Sequence, residues 1–195
     1  MAHLSVEHLS KTRAYDEIFS DVSFTLNSGQ LLWLKGANGS GKTSLMRILA
    51  GLSAPNSGHI QTDIESLHYI SHNVSLVDSL NVKETIELLY PLYGIDSATS
   101  DINSFLSLIA MSGTETLNVS QLSAGQRQRL NLLSLSLDKR PLWLLDEPYS
   151  NLDKAGRKWL DGLIEEHLSN AGLVVVISHG DSLGVEETQV LELDA

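Results

Sequence analysis

Apolar positions along this chain fall into short β-like runs, separated by stretches in which they recur at helical spacing. The runs are Leu4 to Leu9, Val22 to Leu26, Leu31 to Lys35, Ser66 to Ser71, Leu142 to Leu145, Leu173 to Ile177 and Thr188 to Leu193. Leu142-Trp143-Leu144-Leu145 and Leu173-Val174-Val175-Val176-Ile177 carry no polar interruption, which predicts central strands covered on both faces. Strands alternating with amphipathic helices predict an α/β domain around a largely parallel sheet.

The middle third has a different rhythm, because Asn81 through Ser136 contains no strong strand. Asn81-Val82-Lys83-Glu84 has the form of a capping box, with Val82, Ile86 and Leu89 following on one helical face. Pro91 and Gly94 are expected to stop that helix. A second helix is expected after Asp101, burying Ile102, Phe105, Leu106 and Ile109, and a third after Ser123, burying Leu130, Leu133 and Leu137. The pattern is that of an α/β core carrying a helical insertion, with no internal repeat and no low-complexity linker.

With 195 residues, 42% of them hydrophobic, the chain suits one compact domain with a sizeable core. A formal net charge of -11 without a basic tract argues against binding nucleic acid or an anionic membrane surface. The absence of cysteine excludes disulfides and thiolate metal sites and suits a reducing compartment. Met1 to Glu7 has neither a basic nor an apolar leader segment, and no apolar run is long enough to span a bilayer. The expectation is a chain that is not secreted and does not cross a membrane by itself.

Chemistry is concentrated in three places. Gly36-Ala37-Asn38-Gly39-Ser40-Gly41-Lys42-Thr43 lies between a predicted strand and the amphipathic stretch Ser44 to Ala50, the setting a phosphate-binding P-loop requires. Its glycines let successive N–H groups point at phosphate oxygens, and the helix adds its positive end. Lys42 is expected to reach the β and γ phosphates and the Thr43 hydroxyl to ligate Mg²⁺. Asp146 and Glu147 follow a predicted central strand, at the end where ligands bind in open α/β sheets. Asp146 suits a hard cation and Glu147 suits polarisation of the attacking water.

The third place is Leu122-Ser123-Ala124-Gly125-Gln126, which read locally is a Ser-x-x-Gln capping box. Set between the P-loop and the acid pair, it resembles the signature motif of ABC ATPases. That resemblance covers essentially the whole chain. It implies a P-loop NTPase fold of the ABC type, with a mostly parallel core sheet, an antiparallel β edge and a helical subdomain. The core would be roughly residues 1–72 and 141–195, and the helical subdomain roughly 73–140. It implies ATP and Mg²⁺ as ligands, with Gly36 through Ser44 around the phosphates and Leu122 to Gln126 reaching the γ-phosphate from the opposite subunit of a dimer. It makes Lys42, Glu147 and His179 the catalytic residues, Tyr15 the aromatic on adenine, and Ser150-Asn151-Leu152-Asp153 the D-loop.

One departure stands out. ABC ATPases usually carry a glutamine eight residues before the pair that here reads Leu80-Asn81, and that position is His72. A neutral imidazole can ligate Mg²⁺ but is softer and more sensitive to pH than an amide oxygen. His68 and His72 sit on a predicted strand and loop, where helical zinc-pair spacing does not apply. Together with the small size, Ser71-His72 and Asp146-Glu147-Pro148-Tyr149 are similar to the ATP-binding subunits of bacterial haem exporters of cytochrome c biogenesis. That implies polytopic membrane subunits as partners, a peripheral place on the cytoplasmic face of the inner membrane, and no haem on this chain. The loop from Asn73 to Leu80, with Val74, Leu76 and Val77, is the expected receiving surface. The ATPase subunit of another small ABC exporter, a soluble ABC-type switch in cofactor assembly and a P-loop small-molecule kinase remain open on the residues alone.

Overall fold

The uninterrupted apolar runs become interior strands. The computed structural model describes residues 3–13, 16–72, 76–96, 101–179, 183–187 and 189–193. Tyr15, Gly180 and Asn73 to Ser75 lie outside the described residues. Contacts group Met1–His72, Arg140–Pro148 and Ile164–Ala195 into one compact unit, and Asn73–Lys139 with Tyr149–Leu163 into another.

The first unit contains both sheets. β1 (His3–Arg13), β2 (Asp16–Asn27), β3 (Leu31–Gly36), α1 (Lys42–Leu49), β4 (Ser57–Thr62) and β5 (Leu67–Ile70) come first in the chain. Of the later elements, α2 (Val82–Glu87), α3 (Leu89–Tyr93), α4 (Ile102–Leu108) and α5 (Ala124–Leu132) belong to the second unit. Then follow β6 (Leu142–Asp146), α6 (Lys154–Ser169), β7 (Leu173–Ile177) and β8 (Gln189–Leu193). β2, β1 and β4 form an antiparallel sheet in that order. The parallel sheet runs β5-β6-β7-β3-β8.

Burial follows position in the sheet. Every residue of β6 and β7 is buried, whereas the edge strands β5 and β8 alternate, as expected when an edge meets solvent. Leu32, Leu34, Leu45, Met46, Leu144 and Val175 belong to one apolar cluster with Leu4, Val6, Leu9 and Leu26 of the antiparallel sheet. β4 escapes the periodicity because only Ile60 among its residues is apolar, and most of its side chains are exposed. Its register is set by backbone pairing to β1, which composition does not report.

In the second unit, Val82, Ile86, Leu106, Ile109, Leu130 and Leu133 share a buried cluster. The expected single helix after Asn81 is two. Pro91 has no N–H to offer Glu87 and crowds its carbonyl, so α2 ends at Glu87, and Pro91 sits inside α3 instead of stopping it. Gly94, at φ 64, closes α3. The helix after Ser123 tightens beyond Leu132 into a 3₁₀ segment, Leu133–Leu137. The periodicity does not announce α6, because buried Gly156 takes a place on its apolar face.

Candidate functional site

β3 ends where the chain has room for no side chain. A Cβ at Gly36 would lie 2.3 Å from the Leu193 carbonyl oxygen and 2.6 Å from Ser40 Oγ, at φ +139. Gly41 precedes α1 at φ 92, also in glycine's territory. No side chain caps α1, so its first amides are open to an anion. The buried Lys42 ammonium donates to the Gly36 and Ala37 carbonyl oxygens, each at 2.8 Å. These neutral acceptors leave a cation folded over its own loop, a fit for a phosphate that would draw it outward.

The parallel sheet brings the ends of β3, β6 and β7 to the same edge. Thr43 Oγ1 donates to Asp146 Oδ2 at 3.0 Å, so the P-loop hydroxyl and the strand-end acid meet across 103 residues of chain. Burial raises the Asp146 carboxyl above its ordinary value, while the Thr43 hydrogen bond and the charges of His72 and Lys42 pull it back. A buried carboxylate beside a hydroxyl offers hard oxygen ligands and wants a cation, which suits Mg²⁺. Glu147 follows at φ 56, a left-handed conformation unusual for a non-glycine residue. Its amide donates to the Ile177 carbonyl at 2.9 Å. The His179 amide donates to Glu147 Oε2 at 3.3 Å, and His179 Nε2 lies 3.3 Å from Oε1.

Lys42, Thr43, Asp146, Glu147, His179 and His72 all line one cleft of about 530 Å³. Asn38, Gly39, Gly41 and Ser44 line it too. Arg13, Asp16, Glu17 and Ile18 line it as well; in the sequence they stand on either side of Ala14 and Tyr15. No motif marks these four residues in the sequence; their place in the chain beside Tyr15 is the signal for them. His68 faces away from this chemistry, buried in β5 opposite Trp143.

The signature stretch lies in the helical unit. Ser123 caps α5: its hydroxyl accepts from the Gln126 amide at 3.2 Å, and the Gln126 side chain accepts from the Ser123 amide at 2.9 Å. Leu122 is buried, whereas Ser123 and Ala124 are exposed. A Cβ on Gly125 would meet the Asn151 carbonyl oxygen at 2.8 Å, so the start of α5 packs on the Ser150 to Asp153 turn. Arg129 of α5 pairs with Asp153 and also donates to the Ile109 carbonyl at 3.1 Å.

The ABC transporter family model matches residues 19–150. The chain belongs to the ABC transporter family. As an ABC ATPase it binds and hydrolyses ATP as a subunit of a transporter with membrane partners. A cytochrome c biogenesis ATP-binding export protein, CcmA, of Methylococcus capsulatus is 38% identical over 189 residues, 91% of this chain and 91% of that protein. The protein of the same name in Brucella abortus is 35% identical over 184 residues, 90% of this chain and 85% of that one. Among solved structures, an ATP-binding subunit of an ABC transporter superposes with a TM-score of 0.76 at 23% identity, over 90% of this chain and 79% of that one. An ABC transporter ATP-binding protein from Pyrococcus furiosus gives 0.78 at 19% identity, covering 98% and 97%. These two likenesses bear on the ABC ATPase fold. No helix among the described residues is long and apolar enough to cross a membrane.

Proposed function

We propose that this chain powers haem export for cytochrome c biogenesis, as one of two copies that close on ATP and Mg²⁺ beneath polytopic membrane subunits. The observation that carries the reading is the meeting of Thr43, Asp146, Glu147 and His179 in one cleft with Lys42. Relatives named for cytochrome c biogenesis and export, at 35 and 38% identity over nine-tenths of the chain, support the choice of transporter.

In this reading the uncapped start of α1 and the amides of Gly36 to Ser44 hold the phosphates, and Lys42 turns from its carbonyls to the β and γ oxygens. Tyr15 stacks on adenine. Thr43 and Asp146 hold Mg²⁺, with His72 at the cleft wall as a further candidate ligand. The ion supplies charge neutralisation on the phosphates. Glu147 takes the proton of the attacking water, and His179 contacts the γ-phosphate. Leu122 to Gln126 of a second copy present the Ser123-capped start of α5 to that phosphate. The core comprises roughly residues 1–72 and 141–195, and the helical subdomain roughly 73–140. The chain sits peripherally on the cytoplasmic face of the bacterial inner membrane, and binds neither nucleic acid nor haem itself.

Affinity purification of the full chain from detergent-solubilised bacterial membranes tests this. Co-elution of stoichiometric polytopic subunits, with ATP turnover that responds to added haem, is the expected result. Recovery of soluble proteins alone overturns it in favour of a soluble ABC-type switch.

A further inference from the structure

In β3, Trp33 stands among Leu31, Leu32 and Leu34 and is 1% exposed. Leu32 and Leu34 belong to the core cluster shared with the antiparallel sheet, so strand alternation turns Trp33 to the opposite face. There its indole N–H donates to the Ser178 carbonyl oxygen at 3.3 Å. Ser178 lies past Ile177, the last residue of β7 that pairs with β3, and immediately before His179. The Lys35 ammonium sits 3.5 Å from the centroid of the Trp33 ring, a cation–π contact that pins the ring plane.

We infer that Trp33 is a positioning residue for ATP hydrolysis, its indole N–H holding the Ser178–His179 turn so that the His179 imidazole stays at Glu147. The inference rests on the roles given above to His179 and Glu147. Three successive residues of this turn are held through the backbone. The Ile177 carbonyl accepts from the Glu147 amide, the Ser178 carbonyl from Trp33, and the His179 amide donates to the Glu147 carboxylate. Two of the three anchors are Glu147 itself. When that carboxylate turns to its water, the bond from the His179 amide is given up. The Trp33 bond is independent of the reacting group and survives.

Packing alone does not account for the placement. Trp143, buried in β6 of the same sheet, has an indole nitrogen with no hydrogen-bond partner among the described residues. The sheet thus accommodates indole bulk without directing the N–H anywhere. At Trp33 the N–H reaches the one carbonyl that precedes His179, and Lys35 ties the ring to the root of the P-loop at Gly36.

The test measures ATP turnover of the transporter complex purified through the full chain. Trp33→Phe keeps most of the bulk and removes the donor. Expected are a fall in kcat of about three- to tenfold, the kinetic scale of one neutral hydrogen bond, and a KM for ATP that stays within about twofold, since ground-state binding is untouched. His179→Ala lowers kcat by itself, and adding Trp33→Phe to it produces no further loss, because coupled residues do not add. An unchanged kcat in Trp33→Phe, or the same fold loss in both backgrounds, overturns the inference while leaving the site reading intact. A His179→Ala variant with full turnover sinks the site reading and this inference together. Lys35→Met, which leaves the indole in place and removes the charge, carries the same cycle if Trp33→Phe does not fold. It is expected to lower kcat less, and again only where His179 is present; an unchanged kcat counts against the inference.

Discussion

Glu147 sits in a left-handed backbone conformation at φ 56, with a side chain only 10% exposed. Such strain in a non-glycine residue costs about 1–3 kcal/mol and persists only where its surroundings hold it. Here the Glu147 amide bond to Ile177 and the carboxylate's contacts with His179 do so. Glu147→Gln keeps the shape and removes the carboxylate proposed as the base. We expect turnover to fall roughly a hundredfold or more, the scale of losing general-base catalysis, with ATP affinity by equilibrium dialysis unchanged. Undiminished hydrolysis would remove Glu147 from that role. Gly36 is constrained differently, since a methyl group there would overlap the Leu193 carbonyl at a φ that L-residues avoid. Gly36→Ala should lower unfolding free energy by about 2 kcal/mol or more, read by chemical denaturation, and weaken ATP binding with it.

The start of α5 is the element whose local chemistry and wider role separate most clearly. Its capping box satisfies helix amides whatever the function. Ser123→Arg costs about 1 kcal/mol through the lost cap, yet we expect it to abolish ATP turnover, because a bulky cation replaces the hydroxyl that the proposed function presents to phosphate. Full turnover would favour the P-loop kinase reading, which has no use for this motif. Where α6 begins, the Gly156 amide, and then Arg129, hold the Asp153 carboxyl below its ordinary value. A carboxylate whose pKa is lowered by folding stabilises the protein above the unfolded value of 3.8 and loses that contribution as pH falls through the lower folded value. Denaturation midpoints of Asp153→Asn should therefore lie below the parent's at neutral pH and converge with them in acid. Parallel pH profiles would show that the pair contributes nothing.

At the scale of the whole molecule, the proposed function has a second copy bring its Ser123 to the first copy's P-loop. A chain with a net charge of -11 resists self-association unless ligand holds it. The Glu147→Gln variant should accordingly run as a monomer without nucleotide and as a dimer with ATP and Mg²⁺ by light scattering. The native chain has no cysteine, so Asn38→Cys and Ser123→Cys provide an unambiguous disulfide pair. Crosslinks between copies that appear only with ATP are expected, and their absence under dimeric conditions rules the arrangement out.

The P-loop, the Asp146-Glu147 pair and the Ser123 cap were all legible in the chain, because each depends on contiguous residues and on backbone geometry that only certain residue types adopt. The interior strands β6 and β7 were legible for a similar reason, since burial on both faces leaves an unbroken apolar run. β4 and α6 were not, because backbone pairing holds β4, and buried Gly156 beside Leu152 and Arg129 interrupts the period of α6. Nor does any local pattern announce the bond from Thr43 to Asp146 or the reach of Trp33 to Ser178, which join residues 103 and 145 apart. Which chemistry the chain carries was written in short motifs. Which of its atoms meet depends on strand order, because the parallel sheet alone sets the ends of β3, β6 and β7 side by side.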